Sequence, residues 1–301
     1  MNLFIFGMGY SAQVLAHRLR AQGWSVDGTG RGGEIDFADR AGVAAALAQA
    51  THVLSSVPPA RTGGDPVLDA YAELIGKAPA MWIGYLSSTG VYGDTGGAWV
   101  DESAPIGHGR RSARAAADLD WQALDARVRV FRLPGIYGPG RSALDRVRQG
   151  VAHRIALPDQ VFSRVHVDDI ASGVIASFER GPAGVYNLAD EAPCSQNAVI
   201  EEAARLLGMA PPPLLTLEQA NLSPMARAFY AENRRVANGK AARLLGWRLR
   251  FPTYRAGLRA LNASTSPTSA SAAPATVSGD QRNPSNSVER PIATTGTSTP
   301  L

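Results

Sequence analysis

The chain has 301 residues, 45% hydrophobic and 19% charged, with a formal net charge of +4. These are globular values, ample for a sizeable core. Cys194 is the sole cysteine, which excludes an intrachain disulfide and a thiolate metal cluster and points to a reducing compartment. The arginines are scattered, with pairs at Arg110-Arg111 and Arg234-Arg235 but no interleaved aromatics. The basic excess therefore reads as a solvated surface rather than a nucleic-acid face. No apolar run is long enough to span a membrane, and no cationic segment precedes the apolar start, so a cytoplasmic protein is expected.

The first element is the strand Leu3-Phe4-Ile5-Phe6, which runs straight into Gly7-Met8-Gly9-Tyr10-Ser11-Ala12. Ala12, Leu15, Ala16 and Leu19 share one face of the helix that follows. A glycine turn between a buried strand and a helix is the pattern of a dinucleotide-binding unit. Gly7 allows the tight turn, Gly9 lets backbone N–H groups approach a pyrophosphate, and Ala12 keeps the helix close to the sheet. The helix N-terminus then faces the phosphate charge, so Gly7, Met8, Gly9, Tyr10 and Ser11 are the expected cofactor contacts.

Gly23 closes this helix, and residues 24–29 read as the second strand. Strands are expected at 52–57, 81–87 and 128–133, and helices at 65–77, 113–126 and 198–207. Asp168 or Asp169 is expected to cap a helix holding Ile170, Val174 and Phe178. Strands alternating with helices predict an α/β fold, a doubly wound parallel sheet of the Rossmann type. Residues 1–262 form this unit, with a small substrate-side portion mainly at 141–262. From 263 to 301 the composition turns to Ser, Thr, Pro and Ala, a tail too poor in apolar groups to offset its ordering entropy and read as disordered.

Residues 87–93, Ser-Ser-Thr-Gly-Val-Tyr-Gly, follow a strand directly. Further along come Arg-Leu-Pro-Gly-Ile-Tyr-Gly-Pro-Gly-Arg at 132–141, Val-His-Val-Asp-Asp-Ile-Ala at 165–171 and Val-Tyr-Asn-Leu at 185–188. With the glycine turn, this ordered set resembles the extended and atypical short-chain dehydrogenase/reductases, the epimerase/dehydratase-like family. Residues 233–258 resemble its YeeZ-like subgroup. The resemblance implies that Ser88 polarises a substrate carbonyl or hydroxyl, a role its hydroxyl suits, and places Pro134 among the cofactor contacts. It also implies a homodimer through the helix at 113–126.

One departure from the family pattern is serious. The family's acid/base is a tyrosine whose pKa is lowered by a lysine four residues on. The only lysines here are Lys77 and Lys240, and neither follows a tyrosine at that spacing. Aligned through Asp118, the tyrosine position holds Arg110 and the lysine position Arg114. Arg114 can hold ribose hydroxyls, whereas Arg110 cannot replace a phenol, because a guanidinium stays protonated near neutrality. Tyr92 and Tyr137 are the nearest phenols, in positions that are mainly structural in relatives.

Nucleotide-sugar enzymes of the family often carry a diphosphate-binding arginine four residues before His166. Here that position is Phe162, with Arg164 close by and Arg141 as another candidate anion contact. His166 reads as a packed, hydrogen-bonded residue. At the end of the second strand, Gly30 stands where an NAD-selective site places a carboxylate, and Arg31 follows it; Asp27 falls mid-strand. Arg31 favours a 2′-phosphate, so the expected cofactor is NADP, with NAD the other possibility. The expected function is an NAD(P)-dependent oxidoreductase or epimerase/dehydratase-type enzyme acting on a small hydroxyl or carbonyl substrate, without a metal. The alternative is a non-catalytic NADP-binding regulatory or scaffold protein.

Overall fold

The protein is described from a computed structural model covering residues 1–265 apart from 61, 108–111, 225–226 and 228–229. The first part of the chain forms β1 (Asn2–Phe6), α1 (Tyr10–Ala21), β2 (Ser25–Gly28), α2 (Arg40–Gln49), β3 (His52–Ser55), α3 (Pro66–Lys77) and β4 (Trp82–Ser88). A 3-10 turn (Thr89–Tyr92), β5 (Trp99–Val100), α4 (Ser112–Leu124) and β6 (Val128–Leu133) follow. Next come β7 (Gly135–Tyr137), α5 (Ala143–Arg148), β8 (Arg154–Ile155), β9 (Arg164–His166), α6 (Val167–Glu179) and β10 (Gly184–Asn187). The last elements are α7 (Gln196–Leu206), β11 (Leu214–Leu215), β12 (Arg235–Val236), α8 (Gly239–Leu245) and α9 (Tyr254–Thr265).

Six strands make one sheet in the order β2-β1-β3-β4-β6-β10, parallel throughout. A parallel sheet needs cover on both faces, so its strands are almost uniformly apolar. Alternate residues of β1 supply both sides: Leu3 and Ile5 join α1 and α6 in one core. Phe4 and Phe6 join residues of α3 and α4 in the other. The chain starts at β1, moves outward to β2, then returns to β3 on the far side of β1. That reversal opens a crevice at the C-terminal ends of β1 and β3, the usual ligand position in such sheets.

The helices hold the faces that their sequences dictate. In α1, Ala12, Leu15, Ala16 and Leu19 are the buried residues. Asp65 caps α3 by accepting from the N–H groups of Val67 and Leu68, with Pro66 at the first helical position.

Three features differ from the sequence reading. The cap of α6 is His166, whose Nδ1 accepts from the Asp168 N–H at 3.1 Å. Asp169 is drawn away to accept from the backbone N–H groups of Arg250 and Phe251 at 2.7 and 3.1 Å. Asp168 instead meets Arg18 of α1 at 3.2 Å. The 141–262 portion is interleaved with the sheet, since α6 packs on α1 and β10 is the sixth strand. Finally, α9 runs through Thr265, past the expected start of the tail, because its apolar face (Tyr254, Leu258, Leu261) is buried against α5 and α7. Residues 266–301 lie outside the described part. No helix among the described residues is long and apolar enough to cross a membrane.

Candidate functional site

The crevice holds a cavity of about 430 Å³. Gly9, Tyr10 and Ser11 line one side, Ser56 and Pro58 follow β3, Ser87 and Ser88 end β4, and Thr89 opens the 3-10 turn. Arg114 of α4, Leu133 at the end of β6 and Pro134 just after it also line the cavity. Arg141, Phe162, Ser163, Glu232, Arg234 and Val236 complete the lining.

On the first side the backbone shapes the cavity wall. Gly7 has φ +82°, a conformation that a side chain would strain, and an added Cβ would stand 2.8 Å from Val57 Cγ2. Its N–H donates to Thr29 Oγ1 at 3.2 Å, and the Met8 N–H donates to the Thr29 carbonyl at 2.7 Å. The end of β2 is thus laced to the glycine turn. Gly9 caps α1 without any side-chain bond, and no acidic residue stands in the first turn. Only the Gly7 carbonyl, at 4.0 Å, comes near the place of a Gly9 Cβ. Unpaired helix N–H groups beside an open approach fit the pyrophosphate of a dinucleotide. The Met8 side chain is buried, 2% exposed, so only its backbone is available to a ligand.

At the sheet edge, Ser88 is half-buried and caps the 3-10 turn, its Oγ accepting from the Gly90 N–H at 3.1 Å. Since that oxygen acts as acceptor there, its own proton remains available to a ligand oxygen in the cavity. Beneath it lies a buried polar network. Asp118 of α4 accepts from Ser87 Oγ at 2.5 Å and from both Nη2 and Nε of Arg132, at 2.7 and 3.1 Å. Arg132 also donates to Tyr92 Oη at 3.1 Å, and that hydroxyl donates to Asn187 Oδ1 at 2.8 Å. The Asp118–Arg132 pair is sealed from solvent, at 0% and 3% exposure.

Tyr92 and Tyr137 are both buried. Burial pushes each phenol up from its usual range, so neither is poised to exchange a proton near neutrality. His166 is packed between Tyr137 and Phe251, and burial pushes it down to about 4, which leaves it neutral. The Tyr10 hydroxyl donates to the Pro139 carbonyl at 3.0 Å, and Arg141 lies over its ring at 5.6 Å.

The cavity therefore brings together Gly9, Tyr10, Ser11, Ser88, Arg114 and Pro134 of the residues singled out from sequence. Gly7 and Met8 shape the turn without lining the cavity. Arg31 is exposed, just past Gly30. Gly30, with φ +92°, lies against the backbone of Gly7 and Met8, which leaves Arg31 at the rim of the cradle. Asp27 pairs with Phe4 in mid-strand. Arg110 lies outside the described residues.

Sequence reasoning missed Glu232 and Arg234. Their signal was a charged Glu-Asn-Arg-Arg run that reads as ordinary surface, yet Glu232 is only 7% exposed. Phe162 lines the cavity where a nucleotide-sugar enzyme would carry arginine. Arg164 is turned behind it, donating to the carbonyls of Phe162 and Cys194 at 3.0 and 3.2 Å and to Gln196 Oε1 at 3.0 Å. A second cavity, of about 510 Å³, shares the Gly135, Ile136, Arg141, Phe162 and Ser163 wall.

No family model matches the chain. Protein YeeZ of Escherichia coli K12 is 31% identical over 241 residues, covering 69% of this chain and 84% of that protein. A functionally unknown conserved protein from Silicibacter pomeroyi superposes with a TM-score of 0.78 at 42% identity, covering 87% of this chain and 98% of that one. The human epimerase family protein SDR39U1, solved with NADPH, shares the fold with a TM-score of 0.70 at 20% identity, over 87% of this chain and 99% of that one. The parallel sheet with a glycine turn at its switch point is the fold that the chain shares with the epimerase family protein, and by its likeness to protein YeeZ the chain belongs to the YeeZ-like family.

Proposed function

We propose that the chain is an NADP-dependent oxidoreductase or epimerase/dehydratase-type enzyme acting on a small hydroxyl or carbonyl compound. One observation carries this reading: an uncapped helix N-terminus and a serine hydroxyl with a proton to donate open onto the same cavity. Its fold neighbour SDR39U1 was solved with NADPH, which supports a nicotinamide cofactor. When bound, such a cofactor supplies two-electron redox chemistry at its ring. The chain's own residues would do the rest. The turn at Gly9 to Ser11 would hold the pyrophosphate, with Gly7 and Met8 shaping it. Arg114 would meet the ribose, Pro134 would border the ring, and Ser88 would donate to the substrate oxygen as negative charge develops there.

The test couples NADPH titration by fluorescence with turnover on a panel of small carbonyl compounds. Ser88→Ala is expected to lose about 10²–10³ in kcat, the usual cost of one donor to a developing oxyanion, with NADPH affinity unchanged. Arg114→Ala is expected to weaken NADPH binding instead. Full turnover in Ser88→Ala would overturn the role of Ser88. Tight NADPH binding by the wild type without any turnover would favour a non-catalytic dinucleotide-binding protein.

A further inference from the structure

An alcohol or carbonyl reaction needs a group that takes up and returns a proton, and the usual tyrosine is missing from this sequence. Among the described residues, the charged ones lining the cavity at the end of β4 are Arg114, Arg141, Arg234 and Glu232. Guanidinium groups do not exchange protons near neutrality. The Tyr10 hydroxyl is committed to the Pro139 carbonyl, and burial pushes its pKa up. Glu232 is the one carboxylate among the described residues of that lining.

Its placement is built rather than accidental. Arg234 Nη1 holds Glu232 Oε2 at 2.9 Å and reaches the Gly93 carbonyl at 2.5 Å. Gly93 directly follows the 3-10 turn that Ser88 caps, so the ion pair is tied to the element presenting the serine. Asn233 clamps the segment from both sides: its N–H donates to Asp94 Oδ1 at 2.9 Å, and its Oδ1 accepts from the Val161 N–H at 3.0 Å. The Val236 N–H adds a bond to Ser163 Oγ at 2.9 Å. A segment held by this many bonds keeps a carboxylate in fixed geometry at the cavity wall, as acid/base work requires.

We propose that Glu232 is the proton-exchanging residue of this cleft, positioned by Arg234 and acting on the substrate oxygen that Ser88 holds. The proposal rests on the oxidoreductase reading above. In the oxidative direction the substrate O–H bond breaks and its proton passes to a Glu232 carboxylate oxygen. The carbinol hydrogen would leave with its electron pair, which an oxidised nicotinamide cofactor would accept when bound, and the pair left on oxygen would close the carbonyl bond. Reduction runs the same transfers backwards.

The experiment compares the full-length wild type with Glu232→Gln, which keeps the side-chain shape and removes the exchangeable proton. NADPH affinity and melting temperature are expected at wild-type values, while kcat falls by about 10²–10⁴-fold, the range for general acid–base catalysis. Wild-type turnover in Glu232→Gln overturns the proposal and leaves the oxidoreductase reading intact. Weakened NADPH binding together with a lowered melting temperature also overturns it, since Glu232 is then a structural anchor. If Glu232→Gln fails to fold, Glu232→Asp decides. A normal melting temperature with turnover reduced at least about tenfold, as expected for a misplaced acid, supports the proposal, and unchanged turnover overturns it. A wild type that binds NADPH but turns over no compound of the panel overturns the parent reading, and this proposal with it.

Discussion

The cleft joins two unlike parts: the glycine turn between β1 and α1, shaped by backbone atoms, and a far wall around Glu232 and Arg234, built from side chains. The cradle is closed by bonds between the glycine turn and Thr29, 22 residues from Gly7. The far wall is closed by bonds such as Arg234 to Gly93, spanning 141 residues, and Asn233 to Asp94, spanning 139. A backbone cradle tolerates side-chain change and binds what every dinucleotide shares. A wall of side chains held over long separations is sensitive to single substitutions and can be specific. If that division is right, the largest effects of mutation belong to the side-chain half.

The polar platform beneath Ser88 provides the strongest trial. Asp118 accepts from Ser87, Gln122 and Arg132, and through Arg132 it is linked to Tyr92 and Asn187. Asn187 in turn donates to the Ala237 carbonyl, just after β12, so the platform also supports the far wall. Asp118→Ala leaves a guanidinium sealed in the interior without its counter-ion. Breaking a buried pair in this way costs about 3–5 kcal/mol, and denaturant unfolding is expected to show a loss of that size. A loss below about 1 kcal/mol, the level of an exposed pair, would break the comparison.

Asp190 sharpens it with a pH-dependent effect. This residue lies behind β9, its N–H donating to the Arg164 carbonyl at 2.7 Å. Burial raises its pKa from 3.8 to about 7, against the opposing pull of Arg164, and Asp169 adds a little. The folded state therefore holds a proton between about pH 4 and 7 that the unfolded chain has lost, so this contribution to stability declines as pH rises through that window. His52 and His166, both pushed down to about 4 by burial, act in the opposite sense and lose stability as pH falls below about 6.5. Those two are common to the wild type and Asp190→Asn, so they cancel in the difference. From about pH 5.5 to 8, wild-type stability is expected to fall relative to Asp190→Asn by about 2 kcal/mol. A pH-independent difference between the two proteins would show that Asp190 is ionised throughout.

The same division explains what could be read from the sequence. β1, α1 and the Asp65 cap of α3 depend on residues within a few positions of one another, and each stands where pattern and capping rules place it. The α6 cap does not, although Asp168 and Asp169 are better capping types than His166. Asp169 is recruited by N–H groups 81 and 82 residues away, and Asp168 by Arg18 across two packed helices. No local rule contains those demands. Ser88 was legible because strand, turn and motif coincide around it. Glu232 was not, because what buries it comes from loops at 93–98 and 159–163 that the sequence does not connect to it.

The smallest effect is expected at the glycine turn, where the proposed role of Arg31 is to add selectivity to a site shaped by backbone. Arg31 is exposed at its rim, positioned by Gly30 against Gly7 and Met8. Bonds from a guanidinium to a 2′-phosphate are charge-assisted and bidentate in form, yet at an exposed position water and salt screen them. A preference for NADP over NAD of about tenfold is therefore expected, equivalent to about 1.4 kcal/mol. Arg31→Ala should remove that preference by weakening NADPH binding while leaving NADH binding unchanged, because the pyrophosphate cradle needs no side chain from residue 31. Raising the salt concentration should erode the wild-type preference in the same direction. Calorimetry with both cofactors at two ionic strengths checks each point. Equal affinities in the wild type, or a preference that Arg31→Ala does not alter, would remove Arg31 from the cofactor site and leave selectivity to the residues that line the cavity itself.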